Sequence, residues 1–221
     1  MAFNYSPKIV TNGLVLYLDA ANTRSYTSGS TTWTDLGRNG NNVTLTNGPT
    51  FNSANGGSIV FDGTNDYATS IKTNIVPSTT YSKQVWFYLN AIADNNLISS
   101  DVGGHYMFFG STNRLYAGNN NWVGFPYNLQ STTTFTTGIW YNAAITFNTT
   151  DGMILYVNGV LNATYTAVKT AHNGNGATNI ASYSTGNLLN GRISSAMIYN
   201  RTISAAEILQ NYNATKTRFG L

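Results

Sequence analysis

Ile139 to Leu161, IWYNAAITFNTTDGMILYVNGVL, is the stretch whose reading decides the fold. Trp140 to Phe147 and Met153 to Val157 are rich in aromatic, aliphatic and β-branched residues and alternate in character, which is the pattern of strands. The polar run Asn148 to Gly152 between them ends in Asp-Gly, and Asn158-Gly159 supplies two residues that tolerate the positive φ of a type I′ turn. The segment therefore reads as a β-meander with two hairpin turns. Tyr141, Ala143, Ile145 and Phe147 share one face of the first strand, and Met153, Leu155 and Val157 lie opposite Ile154 and Tyr156 on the second. One face must be buried against a second sheet.

Outward from the meander, the same signals recur. Gly13 to Asp19 reads as an opening strand that pairs late, with the C-terminal strand at Leu188 to Tyr199. Ala20 to Gly48 is a long polar passage anchored by Trp33, with a short strand near Val43 to Leu45. Ser58 to Phe61 and Tyr67 to Ser70 flank a turn, and Lys83 to Leu89 reads as a central strand. It carries Trp86 and Tyr88 on one face and Val85, Phe87 and Leu89 on the other. Short strands follow at Leu97 to Ser99, Tyr106 to Phe109 and Arg114 to Tyr116. Ser204-Ala205-Ala206-Glu207 is a capping box, with Ile203 and Ile208 placed as a hydrophobic staple. It predicts a short helix over about Ala205 to Asn213 that lays Ile208, Leu209 and Tyr212 on the fold. Nothing divides the chain, so the expectation is an N-terminal arm over residues 1–12 and one domain over 13–221, with Phe3 and Tyr5 making Ala2 to Lys8 a plausible docking arm.

Composition excludes several functions. Charged residues are only 9% of the 221, and the +3 net charge is spread without a basic stripe, which argues against nucleic-acid binding. There is no cysteine, hence no disulfide, thiolate metal site or thiol nucleophile. No run approaches the length of a membrane span and no Sec-type signal is visible, so no membrane insertion is expected. The five Asn-x-Thr tripeptides are what chance gives in a chain this rich in Asn and Thr.

Three passages carry a family resemblance: GSIVFDG with Asp66-Tyr67 (from Gly57), Trp140-Tyr141 with LYVNG (from Leu155), and Gly191-Arg192-Ile193 leading to Ile198-Tyr199-Asn200-Arg201 and the helix. Together with GLVLYLDAANTRSY at the front, they resemble the laminin G-like members of the concanavalin A-like lectin/glucanase superfamily. The resemblance implies an all-β, concanavalin A-like jelly-roll sandwich of two antiparallel sheets with a short C-terminal helix. LYLDAANTRSY and the terminal ILQNYNATKTRFGL are similar to stand-alone members among bacteriophage structural proteins. That likeness implies a virion-surface protein of a head or tail fibre, made in the host cytoplasm, with other virion proteins, copies of itself and cell-surface glycans as partners. A carbohydrate-binding receptor module of a tail fibre is the alternative.

Chemistry is sparse. A glycosidase needs two carboxylates across the scissile bond, and this chain has one glutamate, Glu207, already assigned to the cap. The Glu-x-Asp-x-Glu pattern of the superfamily's glucanases is absent, and the seven aspartates sit mostly in turns, so no enzyme is expected. His105 and His172, each in a glycine-rich loop, read as surface histidines. Asp62, Asn65 and Asp66 supply hard oxygens in one loop and are the candidate calcium ligands, calcium being the only cofactor the residues suggest. Many relatives carry an Asp after the Gly-x-Ile of the last strand, where this chain has Ser194. For sugar, exposed aromatics with nearby amides are the useful groups. Asn121, Trp122, Phe125 and Tyr127 are the candidate set, with Trp33 and His172 weaker.

Overall fold

Two antiparallel sheets face each other across the core. The computed structural model describes residues 7–101, 104–120, 129–167, 169–174 and 176–221. The first sheet holds the meander, Trp140–Asn148 (β12), Gly152–Val157 (β13) and Val160–Tyr165 (β14). Asn158 and Gly159 take φ of 50° and 79°, the type I′ turn expected. Thr80–Leu89 (β7) pairs with β12 on one side and with Asn190–Tyr199 (β16) on the other. The far edge of β16 is shared, with Ser58–Asp62 (β5) along its first half and Leu14–Asp19 (β1) along its second. The opening strand thus pairs with the last one, as expected. Thr50–Asn52 (β4) closes this sheet beside β5.

Between the two halves Ser194 interrupts the register. Its hydroxyl donates to the Gly57 carbonyl at 2.8 Å, and its own carbonyl accepts from the Ala20 amide. The residue standing where relatives carry an acid is here a buried staple joining three segments.

The second sheet runs Thr32–Trp33 (β2), Val43–Thr46 (β3), Tyr67–Thr73 (β6), Ala177–Ile180 (β15) and Ile98–Ser100 (β8). It continues through the Asn96–Phe108 bridge and the Leu97 N–H to Met107 carbonyl bond into His105–Phe109 (β9), Leu115–Asn119 (β10) and Leu129–Gln130 (β11). Val85, Phe87, Leu89, Ala143, Ile145 and Phe147 point inward from the first sheet. They meet Ile98, Met107, Phe109 and Leu115 from the second. Trp33 is fully buried in this core, so it anchors the long passage and offers no face to a sugar.

Both faces of β7 are covered, which its alternation left open. Trp86 lies on the outer face beneath Ala205–Thr215 (α1), stacked on Tyr212 at 5.5 Å and on Phe219 at 4.1 Å, with its indole N–H donating to Thr215 Oγ1. The capping box is formed as expected, and Arg201 grips Glu207 in a bidentate pair that holds its carboxyl down at about 2. The helix face differs from the expectation in one residue. Ile208, Asn211 and Thr215 are buried, whereas Leu209 is 43% exposed, because a residue next to Ile208 turns about 100° away along a helix.

Of the segment expected as an arm, residues 7–12 run along this helix. Gln210 Nε2 donates to the Lys8 carbonyl, Val10 N–H donates to Asn211 Oδ1, and Tyr199 OH donates to the Val10 carbonyl. Residues 1–6 fall outside the described residues.

Candidate functional site

β9 and β10 form one wall of a cavity. Their odd-numbered residues Met107, Phe109, Leu115 and Ala117 face the core, so Tyr106, Phe108 and Tyr116 project to the opposite face. Phe108 and Tyr116 stack at 5.6 Å and Tyr106 meets Phe108 edge-on at 5.7 Å. Across from them, the loop between β15 and β16 presents Tyr183 on a tight turn, closed by reciprocal backbone bonds between Tyr183 and Gly186 and by Ser182 Oγ donating to the Ser184 carbonyl. The same loop is tied to the sheet by Ala181 N–H to the Leu97 carbonyl and by both Asn96 N–H groups, backbone and side chain, to the Asn187 carbonyl. Between strands and loop lies a cavity of about 480 Å³.

Its lining combines aromatic rings with polar groups. Tyr106, Phe108, Tyr116 and Tyr183 supply the rings. Tyr116 OH is fixed by Thr112 and Gln130, and burial pushes the Tyr106 phenol well up. Asn120 is locked, its amide donating to the Ala171 carbonyl and accepting from Asn173 N–H. The Asp94 carboxylate and the Asn187 amide, by contrast, make no hydrogen bond among the described residues and remain available to a ligand.

These residues were not the ones the sequence suggested. Of the expected sugar set, Asn121, Trp122, Phe125 and Tyr127 lie outside the described residues, although the segment begins directly after Asn120 on the cavity wall. The signal that was available is the run HYMFF, in which aromatics fall on both strand faces. Aromatics grouped on the outer face of a strand, unlike single exposed ones, mark a candidate contact surface.

The loop proposed for calcium is a self-capped turn. Asp62 Oδ1 accepts from the amides of Thr64, Asn65 and Asp66, which holds its carboxyl below the usual range, and Asp66 Oδ2 accepts from Asp62 N–H. Burial and the Asp62 charge raise Asp66. One oxygen of each carboxylate, Asp62 Oδ1 and Asp66 Oδ2, is thus taken up by the turn itself.

The histidines are not at the surface. His105 and His172 are buried with ring centroids 5.1 Å apart, because both rings are drawn into the end of the core around Tyr81. Beside them lies Lys83, fully buried, its Nζ 2.6 Å from His105 Nδ1 and 3.2 Å from the Ile98 carbonyl. Burial pushes the ammonium well below its ordinary range, and it lowers both imidazoles. His172 Nε2 reaches the Pro77 carbonyl, so neither ring offers a face to a sugar or to solvent. Among the described residues no three His, Cys, Asp or Glu side chains gather as a metal centre would require.

With this geometry in place, comparison with known proteins identifies the family. The model of the concanavalin A-like lectin/glucanase superfamily (Laminin_G_3) matches residues 62–209. The chain belongs to that superfamily. No curated protein matches its sequence. Among solved structures it is similar to domain 4 of AbnA, a GH43 extracellular arabinanase of Geobacillus stearothermophilus, in complex with arabinotriose, with a TM-score of 0.72, 15% identity, and 92% of this chain and 100% of that one covered. It is also similar to the botulinum neurotoxin serotype D ligand binding domain in complex with N-acetylneuraminic acid, with a TM-score of 0.69, 15% identity, and 92% and 51% covered. Trypanosoma rangeli sialidase with the inhibitor DANA gives 0.67, 12% identity, and 92% and 33% covered. The chain thus spans all of the arabinanase domain but about half of the toxin chain. At these identities the likeness is one of fold.

Proposed function

We propose that this protein is a non-enzymatic, lectin-like glycan-binding protein displayed on a virion surface, on a head or a tail fibre. The observation that carries the glycan reading is the cavity beside β9 and β10, where four aromatic rings flank an uncommitted carboxylate and an uncommitted amide. Aromatic faces pack on the C–H faces of sugar rings, and carboxylate and amide groups bond hydroxyls. Asp94 is the only carboxylate among the cavity's described lining residues, and Glu207 is committed to the cap and to Arg201. Two catalytic carboxylates across one bond are therefore not assembled there, which supports binding without hydrolysis. The structural neighbours solved with arabinotriose and with N-acetylneuraminic acid are compatible with this reading. The virion setting rests on the likeness of LYLDAANTRSY and ILQNYNATKTRFGL to phage structural proteins.

A glycan array with the wild type and Tyr183→Ala tests the binding. Retention of some glycan by the wild type, weakened at least about tenfold in a variant whose melting temperature is unchanged, is the expected result. An array on which the wild type binds nothing would overturn it. Immunogold labelling of purified virions tests the setting: label over the head supports a decoration role, label at fibre tips supports a receptor module, and no label removes the virion from the proposal.

A further inference from the structure

The cavity's charges point beyond a general sugar site. We infer that it selects neutral sugars and excludes acidic ones, an inference that rests on the glycan reading above and adds its ligand class.

No lysine or arginine is among the cavity's described lining residues, and Asp94 is the single charged one. The chain around the lining residues holds few cations, of which exposed Lys169 stands two residues before Ala171, whose carbonyl holds the lining Asn120. Between Lys83 and Lys169 the chain has one basic residue other than His105, namely Arg114, and between Lys169 and Arg192 it has no Lys or Arg. Arg114 Nη1 is taken up by the carbonyls of Ser131 and Thr132, and the nearest histidines are buried in the core with lowered basicity. The run Asn121 to Asn128 that follows the cavity's Asn120 is NWVGFPYN and contains no charged residue.

A sialic or uronic acid seated on these rings would bring its carboxylate toward Asp94 with no cation among the described lining residues to offset the repulsion. Like charges brought together across an interface act as a device of rejection. A neutral sugar meets the opposite situation. Its hydroxyls can donate to the Asp94 carboxylate, a charge-assisted bond, and pair with the Asn187 amide, while its ring lies against Tyr183 or Phe108. The expected preference is at least about tenfold between a neutral oligosaccharide and the same oligosaccharide carrying a terminal acid.

Titration calorimetry of the full chain tests this with matched pairs, each neutral oligosaccharide against its sialylated or uronate counterpart, in wild type and in Asp94→Asn. Tighter binding of the neutral member, with the discrimination falling about tenfold or more in Asp94→Asn, supports the inference. Equal or tighter binding of the acidic member overturns it while leaving the glycan reading intact, as does a preference untouched by Asp94→Asn. Failure of both members of every pair overturns the glycan reading and the inference together.

Discussion

Lys83 shows how far one residue's setting can depart from its type. A lysine between Thr80 and Leu89 reads as an ordinary strand charge, yet it lies in the core with no carboxylate bonded to it, facing Tyr81 and His105. The consequence for stability follows from linkage. An unfolded lysine titrates near ~10.4, and the folded one below that, so between the two values the unfolded chain holds the extra proton. Stability therefore rises with pH through this window, by up to about 1.4 kcal/mol per unit, and the cost of burying Lys83 grows as pH falls. Lys83→Met should lose that slope, whatever its absolute stability, in urea unfolding between about pH 7 and about pH 10; an unchanged slope would mean that Lys83 is charged in the fold. At the Asp62 loop the expectation is different. Because Asp62 Oδ1 already accepts three amides, millimolar calcium should leave the melting transition where it is, and a clear rise would place a cation on Asp62, Asn65 and Asp66. The burial of Lys83 was not legible in sequence, whereas the capping role of Asp62 and Asp66 follows from ordinary turn chemistry. The Asp-Gly-Thr-Asn-Asp pattern specified the turn, and only the hydrogen bonds show which oxygen of each aspartate the turn uses.

Among the elements, α1 is the one whose removal should cost most for its size. Asn211, fully buried, accepts from Val10 N–H and donates to Gln84 Oε1 and Tyr199 OH, so a single side chain joins the N-terminal segment, β7 and β16 to the helix. Asn211→Ala strands several polar groups without water and is expected to destabilise by about 3 kcal/mol in chemical denaturation. A loss below about 1 kcal/mol would show that the network is redundant. The helix itself was legible because Ser204 and Glu207 are a local code, and Ile203 and Ile208 meet in one cluster as a staple should. Its inward face was read with one error, Leu209, since a hydrophobic residue attracts assignment to the core even where the buried position goes to Asn211. The outer face of β9 was missed for a related reason. Alternation tells which residues share a face and not what lies above it, and Tyr106 and Phe108 acquire their meaning only when Tyr183 is brought across from a loop far away in sequence.

For the whole molecule, the two sheets share one continuous core, from Leu16 and Ile59 to Phe109 and Ile180. Cooperative unfolding follows: far-ultraviolet circular dichroism and tryptophan fluorescence should report one midpoint, and two separated midpoints would divide the chain into independent units. What the sequence by itself determined was everything local. The strands follow from period-2 alternation, the Asn158-Gly159 hairpin from residues that accept positive φ, and the helix start from its capping box. Family membership, too, was visible in passages strung along nearly the whole chain. The tertiary structure decided what depends on distant neighbours: β1 beside β16, with Leu14 opposite Tyr199, the histidines and Lys83 gathered in the core, and the Tyr183 turn set over β9 and β10. The physical reason is that a strand carries its alternation in its own side chains, whereas its hydrogen-bonding edge is the same backbone everywhere and names no partner until the chain has closed on itself.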